Sequence, residues 1–365
     1  WKPGKSRLLS TMQGKKLFQA HMEPFFTIPR SRIVKLIDLD LYPYKTVSGS
    51  GHCSQKLFRK LSRSASKNFF IHAAEWRLAQ KLNFLKANSE NPDRCFSTGL
   101  AMGLGYKNNT RNFLKLYDIL KRLTGLSEKE LFAYSLGICG FFADGYKKRW
   151  AESTYYRGLL DLYEALPVQE VPHIPFLLHQ IRPFNHPIRR IAYMIQMLKD
   201  PNLPQLSNGM LKAWREQWQK VEHQRAWKKL RGIFEGMIPK YQHSYWNRHF
   251  SFCSQPSSKD LPLLGGTVIQ EILINAFLPI LFEDIAKRGH PKEREAFYNF
   301  YASFPASRTS KSLYLKQRFF GDSLKGDLMK TAEIEQGAYQ LHHDFCIHYE
   351  ASCEGCPFIE RYTGR

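Results

Sequence analysis

The run NFFIHAAEWRLAQKLNFL, residues 68–85, decides how the chain is read. Phe69, Ala73 and Trp76 recur at four- and three-residue steps and, with Leu82, are read as lying near one face of a helix, with Arg77 and Lys81 pointing elsewhere. The same period returns in TRNFLKLYDILKRL (110–123), where Phe113, Leu116, Tyr117 and Leu120 make the stripe. A third helix is predicted from Pro187, a good first-turn residue, with Ile188, Ile191, Ile195 and Leu198 in register. Residues 209–232 predict one long helix striped by Leu211, Trp214, Trp218 and Val221. Stripes of this kind mark packing faces far more often than cofactor sites. The expected fold is mostly α, a multi-helix, bundle-like body.

The N-terminal end reads differently. RLLSTMQGKKLFQAHM holds two short apolar runs around a Gln-Gly turn, which predicts a short β-hairpin within residues 1–26. Pro29, Pro43 and SGSGHCS make 27–66 a connector. The helical body then runs over 67–332, with a candidate split near 168–186, and a C-terminal helix with a cysteine motif occupies 333–365. Residue 1 is Trp, and a lone hairpin needs a partner layer. Both lead us to expect further chain upstream.

The charge balance narrows the function. The 365 residues carry 54 Lys+Arg against 32 Asp+Glu, a net +22. A surplus of that size favours polyanions through steering and counterion release, so nucleic acid, DNA or RNA, is the expected partner. The alternative is a scaffold that binds an acidic protein. Five phrases interleave cations with rings: YKKRW (146–150), RPFNHPIRR (182–190), WKKLR (227–231), YWNRHF (245–250) and SRTSKSLYLKQRF (307–319). Cations pair with phosphates and rings stack on bases. The candidate phosphate contacts are Lys147, Lys148, Arg149, Arg182, Arg189, Arg190, Lys228, Lys229, Arg308 and Lys311.

Other classes find little support. The most apolar stretch, Val268 to Phe282, is interrupted by Gln270, Glu271, Asn275 and Pro279, so no bilayer span is predicted. No secretory signal is visible, and seven cysteines, four of them scattered, suit a reducing cytoplasm. There is no nucleophile elbow, Walker loop or HExxH, and no catalytic residue is assigned.

The exception is HHDFCIHYEASCEGCPF, His342 to Phe358, with the spacing Cys346-x6-Cys353-x2-Cys356. Two thiolates across a tight turn at Glu354-Gly355 can grip one ion, but a closed tetrahedral site needs four ligands. His342, one helical turn before Cys346, is the expected fourth. The set Cys346, Cys353, Cys356 and His342 predicts zinc, with an iron–sulfur cluster as the alternative. His343 and His348 are fallback ligands, and Cys253 would reopen the cluster reading.

That spacing resembles the iron–sulfur loop of endonuclease III-type DNA glycosylases, although Tyr362 stands where that loop has its fourth cysteine. More broadly, RPFNHPIRRIAYMIQML, YWNRHFSF, LGGTVIQEILINAFLPIL and EQGAYQLHHDFCIHYEASCEGCPF resemble, in the same order, a bacterial family catalogued as a domain of unknown function. GHCSQKLFRKL…EWRLAQK and MGLGYKNNTRNF fit its middle section. The resemblance implies an upstream restriction-endonuclease-like core, of which no residue here matches the acidic phrases. It therefore implies the non-catalytic part of a nuclease-like protein, ending in the cysteine motif; together with the charge this gives the expected function, a non-catalytic nucleic-acid-binding module.

Overall fold

The structure, a computed structural model, describes residues 50–363 except 92–93, 106–108, 124, 168–172, 179–180, 182, 349–352 and 354. The hairpin expected over 1–26 lies outside the described residues, as does Arg182. Helices dominate. The first are α1 (Arg63–Ala87), α2 (Cys95–Leu104), α3 (Thr110–Leu120), α4 (Glu128–Ile138), α5 (Asp144–Arg149), α6 (Thr154–Ala165) and α7 (Pro187–Lys199). They are followed by α8 (Leu206–Gln217), α9 (Gln224–Met237), α10 (Gly266–Ile272), α11 (Leu278–Arg288), α12 (Pro291–Ala302), α13 (Ser310–Phe320), α14 (Ala332–Asp344) and α15 (Phe358–Thr363). Among the described residues the β-structure amounts to one isolated bridge between Pro305 and Thr331. No helix among them is long and apolar enough to cross a membrane.

Two compact units interleave along the chain. One comprises Ser97–Leu206 and Ile238–Ile269; the other takes Ser207–Met237 together with the described residues before 97 and after 269. Cutting the sequence into consecutive pieces, 67–332 and 333–365, therefore follows connectivity rather than packing.

In the first unit, α4 starts on a capping box in which Ser127 and Glu130 satisfy each other's backbone amides. It packs against α6 and α7. Gly137 makes the α6 contact close, because a Cβ there would overlap the Tyr163 ring. The α3 stripe is as the period predicts, with Phe113, Leu116, Tyr117 and Leu120 all buried. α7 begins at Pro187, with the His186 ring accepting from the Ile188 amide at 3.3 Å.

In the second unit, α1 crosses α14 at Gly337, where any Cβ would collide with the Phe70 carbonyl. The buried stripe of α1 is Phe70, Ala74, Leu78, Leu82 and Leu85. Of the expected face only Leu82 belongs to this stripe, and Trp76 is 59% exposed. Both stripes have apolar side chains at helical spacing, and the need to meet Gly337 selects between them. Turning the helix this way brings Arg77 and Lys81 inward, where both donate to Gln336 Oε1, at 2.8 and 2.7 Å. The long helix expected over 209–232 is broken. α8 ends at Gln217, a short 3-10 turn spans Trp218–Lys220, and α9 restarts with the His223 ring accepting from the Ala226 amide. The break lets Trp214 and Trp227 stack in the interior, ring centroids 6.3 Å apart.

Candidate nucleic-acid interface and thiol pocket

Three of the five cation–aromatic phrases border one open basin of the first unit. Tyr146, Arg149 and Trp150 come from α5 and the residue after it; Phe184 and His186 from the turn before α7; Trp246 and Phe250 from the segment 238–269. Arg189 ties two of these phrases together. This residue sits on the buried side of α7, and its guanidinium donates to the backbone carbonyls of Trp246, His249 (2.6 Å), Leu261 (3.1 Å) and Pro262 (3.0 Å). It also lies 5.2 Å from the Phe184 ring centroid and 5.8 Å from that of Phe250, behind both rings. Burial lowers its pKa to about 10, which leaves it charged at neutral pH.

The basin combines accessible rings with charge at its edge. Phe184 and Phe250 are half-buried, while Lys148 and Arg149 are exposed on the last turn of α5. Burial, then the nearby Arg149, pull the His186 ring down to about 4, so it is neutral at physiological pH. Trp246 is fully buried, and its indole N–H has no partner among the described residues. A buried donor without an acceptor is uncommon in a folded protein.

The expected phosphate contacts thus divide. Lys148 and Arg149 face solvent, and Lys147 is half-buried, 3.5 Å from Glu164. Arg189 and Arg190 are interior residues, 0% and 1% exposed, with Arg190 donating to Asn185 Oδ1 at 2.6 Å. Committed in this way, the Arg189 guanidinium is closed to a phosphate: it holds the fold. In the second unit Lys228, Lys229 and Arg308 are exposed, and Lys311 lies 5.6 Å over the Tyr339 ring.

The second unit also contains a small, mostly apolar pocket bordered by four cysteines: Cys53, Cys346, Cys353 and Cys356. Residues 50–58, expected as a connector, are instead packed into the core. Gly51 donates to the Arg318 carbonyl at 2.8 Å, and a Cβ on it would lie 2.9 Å from that oxygen. This approach delivers Cys53 to the pocket at the start of a π-helical turn, Ser54–Phe58, whose Phe58 stacks on Phe70 at 5.0 Å. Cys346 follows α14. Cys353 adopts a left-handed backbone, φ +59°, and Gly355 the same at +72°. A non-glycine residue held there stores strain of about 1 kcal/mol or more.

Arg318 of α13 is 2% exposed, donates to the Cys346 thiol and lies beside Cys53 and Cys353. Burial raises the Cys346 thiol to about 12 and drives Cys53 up as well, with the neighbouring sulfurs adding to both. Among the described residues no group of three His, Cys, Asp or Glu side chains is drawn together tightly enough to hold an ion. His342, the expected fourth ligand, is not among the residues bordering the pocket; its ring meets Tyr314 edge-on at 6.0 Å. Cys253 belongs to the first unit, with its thiol 3.8 Å from the Arg149 carbonyl. The sequence offered Cys53 only as one of four scattered cysteines. The available signal was the glycine-flanked SGSGHC, which fits a close backbone approach.

Comparison with known proteins adds a family and no activity. No curated protein and no solved structure matches the chain. A family described as "Protein of unknown function (DUF2851)" matches residues 34–310, from before Cys53 to the start of α13. That match spans well over half of the sequence, and the chain belongs to this family.

Proposed function

We propose that the protein is a non-catalytic nucleic-acid-binding module that holds single-stranded segments at the basin of its first unit. One observation carries the reading. Three cation–aromatic phrases, far apart in sequence, meet around accessible Phe184 and Phe250, with Arg149 at the rim. Bases stack on rings without regard to sequence, and the cations neutralise the phosphates between them. The net charge of +22 supplies the long-range attraction.

Mobility shifts with unstructured oligonucleotides at low and moderate salt test the proposal. Phe250→Ala and Phe184→Ala should each weaken binding by about 1–3 kcal/mol, the usual worth of one stacked base. Lys228→Ala, in the second unit, should cost much less. The reading fails if wild-type protein binds neither DNA nor RNA at low salt, or if the two phenylalanine variants bind as well as wild type.

A further inference from the structure

We infer that Cys53, Cys346, Cys353 and Cys356 form a four-thiolate site for a thiophilic metal centre, either a zinc ion or an iron–sulfur cluster. This inference goes beyond the nucleic-acid reading and is independent of it. Four cysteines, a lone one at position 53 and three from the stretch 346–356, are seldom gathered around one pocket by packing alone. Cys53 precedes α1 and the other three follow α14, so nearly the whole described chain lies between them. The chain goes to some lengths to gather them. Gly51 is pressed on the Arg318 carbonyl to admit Cys53, and Cys353 is kept in a left-handed conformation that costs free energy.

The surroundings suit a bound centre of negative charge. Four thiolates around a divalent ion leave an excess of two negative charges, and a four-cysteine cluster is anionic too. Arg318, a buried guanidinium, stands beside three of the sulfurs and donates to one. Charge balance and a hydrogen bond to a ligating sulfur are what an outer shell provides. Phe319, Phe345 and Phe358 close the rest of the pocket and limit access by water. Loading releases the thiol protons to solvent as the sulfurs bond to the metal.

An all-sulfur donor set also removes the reason for choosing zinc. A Cys3His set favours zinc, whereas four thiolates serve zinc and iron–sulfur clusters alike. The experiment separates the two. Full chain is purified without oxygen and analysed for metal and acid-labile sulfide, then stripped and offered either zinc(II) or iron(II) with sulfide. About one zinc per chain, colourless, identifies the ion; iron and sulfide in equal amounts, with a brown chromophore, identify the cluster. Both support the site.

Cys53→Ser should lose most of the metal, while His342→Gln and Cys253→Ser keep the wild-type content. Since Cys53→Ser could unfold the C-terminal elements, the wild-type protein supplies a second readout. Of its seven cysteines, four should become reactive toward a thiol reagent on chelation. Failure to take up either metal centre, a Cys53→Ser variant with full metal content, or only three thiols released would overturn the inference. None of these results bears on oligonucleotide binding.

Discussion

Replacing Arg189 with methionine would keep most of the stem and remove the donors that four backbone carbonyls use. Each buried carbonyl left without a donor costs about 1–3 kcal/mol, so a loss of about 3 kcal/mol or more is expected in denaturant unfolding. The basin should lose its rings with it, lowering oligonucleotide affinity even where the protein stays folded. A surface arginine would lose almost nothing. The sequence supplied a cue that charge alone concealed: Arg189 and Arg190 interrupt IRRIAYMI, a run whose neighbours Ile188, Ile191, Ala192 and Met194 are all buried. A helix apolar on every side leaves its charged residues no solvent to face. Glu333 gives a second test at this scale. It is 2% exposed, and burial raises its carboxyl to about 7. Between its ordinary pKa and that value the folded state holds a proton that the unfolded state has released, so stability falls as pH rises. Glu333→Gln should flatten that slope and raise stability at pH 8, by on the order of 3 kcal/mol if the whole shift is felt. An unchanged pH profile would show that the carboxyl finds compensation.

Among the elements, the helices were legible and their faces only partly so. The α3 stripe came out as its period required because one side of that helix is strongly polar. α1 carries two adjacent apolar stripes, and the choice between them depends on Gly337, more than 250 positions away on α14. No local pattern reports that. Gly337→Ala should therefore be far worse than an ordinary glycine replacement in a helix. A mid-helix alanine normally helps by about 1 kcal/mol, but here its methyl group meets the Phe70 carbonyl. A loss of about 3 kcal/mol, the upper part of the usual overpacking range, is expected. Thermal unfolding reads it directly, and a stabilised variant would mean that the two helices separate easily. The break between α8 and α9 is hidden in the sequence for a related reason. Leu211, Trp214, Trp218 and Val221 look continuous as a stripe, yet Trp214 stacks on Trp227 because the chain turns between them.

Across the molecule, two readings depended on residues distant in sequence. The thiol pocket needed Cys53, which no spacing rule connects to a motif at the opposite end of the described chain. A metal centre bound there would close a loop of nearly 300 residues and restrain the unfolded chain by on the order of 5 kcal/mol on polymer grounds. The basin needed three phrases to meet, where the sequence could only count them. Its cationic edge provides the most direct test. Wild-type affinity for a short single-stranded oligonucleotide should be measured against salt, beside a variant with Lys147, Lys148 and Arg149 all changed to alanine. If the basin edge neutralises phosphates, the slope of log affinity against log salt should fall in magnitude by about 2, at roughly 0.7 per contact on a single strand. An identical slope in both proteins, or no binding by either at low salt, would contradict the account.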